Sequence, residues 1–112
     1  MKTSYFSKYK GNKGISIACS APKNFKGQTY QQLVPKWSLV KDYKDGNITK
    51  KEYVSKYLKQ IDKLDPNKVL KDLKDKVLLC WEGPGKFCHR RIVAWWIENE
   101  LNIKVPELKG GE

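Results

Sequence analysis

The chain has little of several features that define large classes of proteins. Its 112 residues include one histidine and two arginines. No apolar run approaches the roughly 20 residues that a membrane helix needs. The N-terminus is rich in lysine but lacks the apolar segment of a signal peptide. These absences predict a protein that does not enter a membrane and that stays in the cytoplasm.

Cysteine is scarce, and its count is odd. Three cysteines cannot all pair within one chain, and thiols stay reduced in the cytoplasm. We therefore expect no stable disulfide among Cys19, Cys80 and Cys88. Cys19 and Cys80 lie in strand-like runs, where cysteine usually serves as a small buried apolar residue.

The length and the apolar content bound the architecture. A chain of 112 residues suits one compact domain, here residues 1–112, with a single core. Apolar residues make up 39% of the chain, so that a core can form and the chain need not be disordered.

Positive charge is abundant and unevenly distributed. The formal net charge is +11. The first 26 residues contain six lysines and no acidic residue, residues 27–79 contain 12 lysines and seven acidic residues, and residues 80–112 are balanced at five and five. This asymmetry indicates an anionic partner, either a phosphorylated small molecule or a nucleic acid. The alternative is a lysine-rich surface without a specific partner. A nucleic acid would be bound by Lys2, Lys8, Lys10, Lys13, Lys23 and Lys26.

Apolar patterning predicts strands that alternate with helices. We expect strands near 2–6, 15–20, 76–82 and 104–108, a loop at 24–28, and helices near 35–45, 49–63 and 88–101. Thr49 and Glu52 have the spacing of a capping box, and Asp65-Pro66 is a typical start for a further short helix. The continuous apolar run at 76–82 is typical of a strand buried on both faces of a parallel sheet. The fold class predicted is therefore α/β.

A cluster of reactive and charged side chains follows this buried strand. After Cys80, Trp81 and Glu82 comes a short Gly/Pro turn, and the next helix begins with the sequence Cys88-His89-Arg90-Arg91. Open α/β folds bind ligands at this carboxyl edge of the sheet. The free amides of a first helical turn favour an anion, and an arginine fork suits a phosphate. The pattern indicates an anion site.

Three other interpretations stay open. Cys88 at a helix start could be an activated nucleophile, with His89 and Glu82 as proton carriers, although adjacent helical residues seldom face each other. Zinc would need four ligands. Cys80, Cys88 and His89 give three, with Cys19 possible as a fourth across the sheet, but the spacing matches no common zinc pattern, so we expect no metal. In a purely structural role, Cys88 would cap the helix, His89 would bond a backbone carbonyl and Arg90 would pair with Glu82.

The segment "LLCWEGPGKFCHRRIVAWWI" resembles the C-terminal signature of the family called domain of unknown function 488. "TSYF" and "ISIACSAP" resemble the first two strands of that family, and "TYQQLVPKW" is similar to a subgroup met in bacteria and phages, so that the resemblance covers about residues 2–108. It implies a small Rossmann-like three-layer domain with a mostly parallel sheet of about four strands. It also implies a pocket around Cys80, Glu82, Cys88, His89 and Arg90. Many members carry Asp-x-Arg after the second strand, whereas this chain has Ala18-Cys19-Ser20.

These observations lead to one main functional hypothesis and two rivals. The main hypothesis is binding, without a cofactor, of a nucleotide-like or otherwise phosphorylated small molecule; a phage-encoded protein could sequester such a molecule in the host cytoplasm. The first rival is a hydrolase or glycosidase that uses Glu82, Cys88 and His89, and the second is a nucleic-acid-binding protein. We expect the ligand to contact Ser4, Tyr5, Ser20, Cys80, His89 and Arg90, with Tyr30 and Trp37 as stacking walls.

Overall fold

A computed structural model of the protein describes residues 1–81 and 88–108. It contains four strands, β1 (Lys2–Tyr5), β2 (Gly14–Ser16), β3 (Gln28–Thr29) and β4 (Val77–Cys80). The helices are α1 (Trp37–Lys44), α2 (Lys50–Ile61), α3 (Pro66–Leu73) and α4 (His89–Leu101). A short 3-10 helix spans Gln31–Leu33. None of the helices in these two described ranges is both long and apolar enough to cross a membrane.

The strands form one parallel sheet in the order β1-β4-β2-β3. β4 lies between β1 and β2, and its residues are all buried, as the apolar run at 76–82 predicts. The predicted α/β class is confirmed: an all-parallel four-stranded sheet with four helices is consistent with a small three-layer Rossmann-like domain.

Two sequence-based boundaries were wrong. β3 begins at the end of the segment predicted to be a loop, because its two exposed polar residues show no apolar alternation. Residues 104–108 do not form a strand: they contribute an isolated bridge between Thr3 and Glu107. Pro106 lacks an N–H donor. The backbone hydrogen bonds of this segment with β1 are those of Pro106 and Leu108 with Thr3.

The main core lies between the sheet and the helices. Leu78 of β4 and Ile15 of β2 pack there with Tyr57 of α2 and with Val93 and Ile97 of α4. Side chains alternate along a strand, so Leu79 faces the opposite side of the sheet. This alternation leaves Cys80, at the carboxyl end of β4, on the same face as α4.

The helices begin with the predicted caps. The Thr49 hydroxyl accepts a hydrogen bond from the Glu52 amide at 3.1 Å, and the Glu52 carboxylate accepts one from the Thr49 amide at 3.0 Å. The Asp65 carboxylate accepts a hydrogen bond from the amide of Asn67, with Pro66 in the first turn of α3. Both caps satisfy N–H groups that a helix start leaves without partners.

Arg90 and Glu107 form a buried ion pair that ties the C-terminal segment to α4. Arg90 is only 1% exposed, and its Nε and Nη2 donate to the Glu107 carboxylate at 2.8–3.2 Å. The Thr3 hydroxyl donates to the same carboxylate at 2.5 Å. Partial burial opposes ionisation, but the bonds from Arg90 and Thr3 together hold the pKa of Glu107 below its usual value.

We predict that Glu107→Gln lowers the free energy of unfolding by about 1.5–3 kcal/mol at neutral pH, because it removes the charge-assisted hydrogen bonds that Arg90 donates to this partly buried carboxylate. Because the folded pKa of Glu107 is depressed, this stabilisation is present above the unfolded pKa of about 4.3 and is lost as the pH falls through the folded value. Urea denaturation at several pH values measures both effects.

Asp45→Asn is the matched control, since it breaks the exposed Lys41–Asp45 pair. Exposed pairs contribute at most about 1 kcal/mol. Equal effects of the two substitutions on the free energy of unfolding would show that the Arg90–Glu107 pair stabilises the fold no more than an exposed pair does.

Candidate functional site

A cavity of about 350 Å³ opens where the end of β4, the start of α4 and the first two helices meet. This volume lies within the range of about 300–1,000 Å³ that is typical of small-molecule sites. The residues that line it are Ala18, Cys19, Ser20, Pro35, Trp37, Val40, Tyr43, Lys44, Tyr53, Cys80, Trp81, Cys88 and His89. The expected pocket at the carboxyl edge of the sheet is thus present.

Aromatic side chains form much of the wall. Trp37 and Trp81 are 59% and 52% exposed, while Tyr43 and Tyr53 pack together with ring centroids 5.2 Å apart. The Trp81 indole N–H donates to the carbonyl of Ser20 at 2.7 Å, which fixes the orientation of the ring. Two large apolar rings therefore remain open to solvent at the cavity.

The His89 imidazole lies at the buried base of the cavity in a defined tautomer. Its Nε2 is 2.5 Å from the carbonyl oxygen of Ile17. A carbonyl only accepts hydrogen bonds, so Nε2 carries the proton and Nδ1 keeps its lone pair. Burial lowers the pKa of His89 to about 4; the bond to Ile17 opposes this change and the Arg90 charge adds to it. The expected bond to a backbone carbonyl is confirmed, and the ring is neutral at physiological pH.

Cys88 and His89 contact each other although they are adjacent in sequence. The Cys88 Sγ is 3.8 Å from the His89 Nδ1. Cys88 precedes the first helical residue and has extended backbone angles, φ −150° and ψ 146°. The argument that adjacent helical residues point apart therefore does not apply, because only His89 is helical. Cys88 is the N-cap residue of α4, but its side chain makes no capping hydrogen bond.

The expectation of no disulfide was wrong in this structure. Cys80 and Cys88 are joined by an S–S bond of 2.02 Å. The fold explains the contact, because the end of β4 and the cap of α4 bring two buried sulfur atoms to the same point. Cys19, expected to be buried, is exposed and free. Its thiol donates to the carbonyl of Pro35 at 3.2 Å, and the burial of the sulfur raises the pKa of Cys19.

Cys80, Cys88 and His89 form a group of three potential metal ligands. The ligand atoms of Cys80, Cys88 and His89 all lie within 4.8 Å of one another, and the three residues are buried. Their spacing in the sequence had suggested no metal site. The tertiary structure assembles the group because the end of β4 lies beside the start of α4.

Arg90 lies beside this group rather than in the wall of the cavity. Its Nη1 donates to the Cys80 Sγ at 3.1 Å, and its guanidinium lies over the Tyr5 ring at 5.6 Å. With Glu107 as its carboxylate, Arg90 fits the structural alternative better than the phosphate contact. Glu82, the partner of Arg90 suggested by the sequence, lies outside the described residues. Its catalytic role therefore stays a prediction.

The remaining predicted site residues divide into two groups. Ser20 and Trp37 line the cavity together with Cys80, Cys88 and His89, whereas Ser4, Tyr5 and Tyr30 do not. Ser4 is buried, and its Oγ has no hydrogen-bond partner within the described part of the chain. The Tyr30 hydroxyl donates to Asp72 at 2.7 Å. Burial, together with this bond and the Asp72 charge, raises the pKa of Tyr30 to about 12.

Several lining residues were missed by the sequence analysis. Trp81 lies near the end of the predicted strand at 76–82, directly after β4, and could have been included for that reason. Tyr43 and Tyr53 lie in the helices predicted near 35–45 and 49–63 and gave no sign of a site. Lys44 gave no sequence signal of a site, and Cys19 was considered only as a possible fourth zinc ligand. These positions become neighbours only when α1 packs on α2 and α2 packs on α4.

Comparisons with known proteins agree with the fold and supply a family. A family model described as DUF488-N3a, the active DUF488-N3 subclade, matches residues 7–101. No curated protein and no solved structure gives a significant match. The matched segment includes the strands β2 and β4 and all the residues that line the cavity.

We predict that the single imidazole of the chain stays neutral, with its proton on Nε2, until the pH approaches 4. NMR of the ring nitrogens, with a chelator present to exclude metals, measures both the tautomer and the midpoint. Because the folded pKa lies below the unfolded value of about 6.5, the unfolded chain takes up the proton first. The free energy of unfolding should therefore decrease from pH 6.5 towards 4, by up to about 1.4 kcal/mol per pH unit.

His89→Gln is the control for the pH dependence. This substitution should remove the decrease between pH 6.5 and 5, where few carboxylates titrate. A midpoint near 6.5 in the wild-type protein would contradict the burial of the His89 ring, which is the main cause of its low pKa.

Proposed function

The chain belongs to the domain of unknown function 488 family, and we propose that it binds a nucleotide-like or otherwise phosphorylated small molecule in the aromatic cavity. The observation that carries the proposal is the pair of half-exposed indoles, Trp37 and Trp81, on the wall of one cavity. Large apolar rings left open to solvent at a concave site are typical of ligand contacts. A nucleobase offers a flat face on which either ring can stack.

The charged part of such a ligand is matched by Lys44 and by the start of α4. Lys44 belongs to the lining, and its ammonium lies 6.0 Å from the Trp37 ring. The start of α4 also borders the cavity, and the first amides of a helix favour an anion. The phosphate contact is therefore assigned to Lys44 and the first turn of α4, while Arg90 keeps its structural pairing with Glu107.

Thiol catalysis is the second candidate, favoured by the contact of Cys88 with the unprotonated Nδ1 of His89. The family description also names an active subclade. In a chain with reduced cysteines, the thiol proton would pass to Nδ1 as the sulfur attacks the substrate, and the leaving group would then take that proton. The pKa of His89, about 4, makes it a weak base for a thiol of pKa about 8.5. This difference in pKa corresponds to an unfavourable free energy of proton transfer of about 6 kcal/mol. We therefore rank binding above thiol catalysis.

Nucleic-acid binding by the basic N-terminal third stays a prediction. Lys10 and Lys26 line a second cavity with Tyr9 and Phe25. That cavity includes Leu79, whose side chain faces away from the main core. Affinity for a single-stranded oligonucleotide should fall steeply with salt concentration if these lysines contact phosphates.

We place this function in the cytoplasm, where a reducing environment keeps thiols free. A protein that only sequesters its ligand needs tight binding and no turnover. A phage-encoded protein could act in this way within the host cytoplasm.

We predict that Trp37→Ala and Trp81→Ala each weaken the binding of nucleotides by about 1–3 kcal/mol, the usual contribution of one stacked base. This corresponds to a loss of affinity of roughly fivefold to 150-fold. Isothermal titration with AMP, GMP, CMP and UMP measures the loss, and the same titration with ribose 5-phosphate separates the base contribution from the phosphate contribution.

Trp95→Ala is the matched control, since Trp95 is 54% exposed but is not part of the cavity wall. This variant should bind nucleotides as the wild-type protein does. An equal loss in all three variants, or full affinity in both cavity variants, would overturn the stacking site.

We also predict that a bound ligand is released unchanged. The protein is incubated with a nucleotide mixture and denatured, and the supernatant is analysed by mass spectrometry. Intact nucleotide supports binding, whereas a new product that disappears in Cys88→Ser supports thiol catalysis.

A further inference from the structure

We infer that the chain, once its cysteines are reduced, binds one borderline-soft divalent metal ion such as Zn²⁺ through the Sγ atoms of Cys80 and Cys88 and the Nδ1 of His89. The inference goes beyond the proposed function, because it requires no nucleotide. Its basis is the buried group of three ligand atoms, all within 4.8 Å of one another.

The distances suit a single ion. Zinc binds thiolate sulfur at about 2.3 Å and imidazole nitrogen at about 2.0–2.1 Å, so two donors of one ion lie no more than about 4.6 Å apart. The Cα atoms of the two cysteines are 7.2 Å apart, a separation that leaves space for two thiolates to converge on an ion between them. When the S–S bond is reduced, the two sulfur atoms move apart from 2.02 Å to the separation that two ligands of one ion require.

The imidazole is already prepared as a ligand. Metal-bound histidines usually donate the other ring N–H to a backbone carbonyl or a carboxylate, which fixes the ring and its tautomer. In this structure the His89 Nε2 proton is held by the Ile17 carbonyl, and Nδ1 lies 3.8 Å from the Cys88 Sγ. The burial that makes His89 a poor base keeps it neutral, and a neutral imidazole is the form that coordinates a metal.

One of the two sulfur atoms also has a hydrogen-bond donor beside it. The Arg90 guanidinium donates to the Cys80 Sγ and pairs with Glu107. A guanidinium N–H stabilises a thiolate. Two thiolates and one divalent ion carry no net charge, and the Arg90–Glu107 pair carries none either. The site can therefore be buried without an uncompensated charge, which would be costly.

The donor set selects the class of metal and leaves one position open. Two thiolates and an imidazole favour zinc and similar ions over magnesium or calcium. Cys80, Cys88 and His89 all line the aromatic cavity, so the remaining coordination position faces the space proposed for the ligand. Three protein ligands with one open position are typical of catalytic rather than structural zinc sites.

The disulfide and the metal exclude each other. In the oxidised chain both sulfur atoms are engaged in the S–S bond. A two-electron reduction by a phosphine or a dithiol breaks this bond and yields two thiols. On binding the ion, each thiol releases one proton, whereas His89 releases none because its Nδ1 is already unprotonated.

The test is a titration of the phosphine-reduced protein with Co²⁺, followed by displacement with Zn²⁺. We expect one ion per chain, thiolate-to-cobalt charge-transfer bands in the near ultraviolet, and loss of the bands when zinc is added. The protein oxidised with diamide should bind neither ion at this site. Absence of the charge-transfer bands, or binding that is equally strong after oxidation, would overturn the inference.

Cys80→Ser and Cys88→Ser identify the ligands, and Cys19→Ser is the matched control. Removal of a group that only hydrogen-bonds to a metal ligand typically lowers metal affinity roughly 10- to 100-fold, and each ligand variant should lose more than this. Cys19→Ser should retain both the stoichiometry and the spectrum of the wild-type protein. Unaltered binding in both ligand variants, or an equal loss in Cys19→Ser, would disprove the assignment. If a ligand variant fails to fold, the wild-type spectrum still decides, because its charge-transfer bands report thiolate ligation directly.

The metal test and the nucleotide titrations can fail separately. The nucleotide titrations use metal-free protein, so their failure leaves the cobalt result intact. Absence of the thiolate-to-cobalt bands likewise does not contradict stacking of a nucleotide on Trp37 and Trp81.

Discussion

The parallel pairing of β4 with both β1 and β2 is the constraint on which the rest of the structure depends. Because every residue of β4 is buried, the strand can occupy only the centre of the sheet. Its carboxyl end then meets the end of β2 and the start of α4 at one edge. Cys80, His89 and the cavity owe their positions to this arrangement. The remaining wall of the cavity forms because α1 packs on α2 and α2 packs on α4.

Two buried polar contacts hold the start of α4 in place. The bond of His89 to Ile17 fixes the imidazole, and the pairing of Arg90 with Glu107 fixes the neighbouring side chain. Both groups were candidates for direct ligand contact. Arg90 serves stability through its pair with Glu107, whereas the Nδ1 of His89 keeps its lone pair and lies 3.8 Å from the Cys88 Sγ. The division follows from the helix, which directs consecutive side chains about 100° apart.

The cavity combines an aromatic wall with a buried set of soft donor atoms, and the two parts suit different chemistries. Half-exposed indoles favour stacking with a flat ligand, which metal-free protein can bind. Two sulfur atoms and a neutral imidazole favour a metal ion, whose open position would face the same space. The low pKa of His89 separates these possibilities from thiol catalysis, because a neutral, weakly basic imidazole coordinates a metal more readily than it accepts a thiol proton.

The sequence by itself determined the α/β class, the central buried strand, the helix caps and the cluster that begins at Cys88, because each depends on local periodicity or on neighbouring residues. Only the tertiary structure decided the partner of Arg90, the contact of Cys80 with Cys88 and the membership of Tyr43, Tyr53 and Trp81 in the cavity wall. These contacts join residues from separate elements, and no local pattern encodes the packing angle that brings them together. The strand β3 was not predicted for a related reason. Its two residues are too few to show apolar alternation, and only their pairing with β2 makes them a strand.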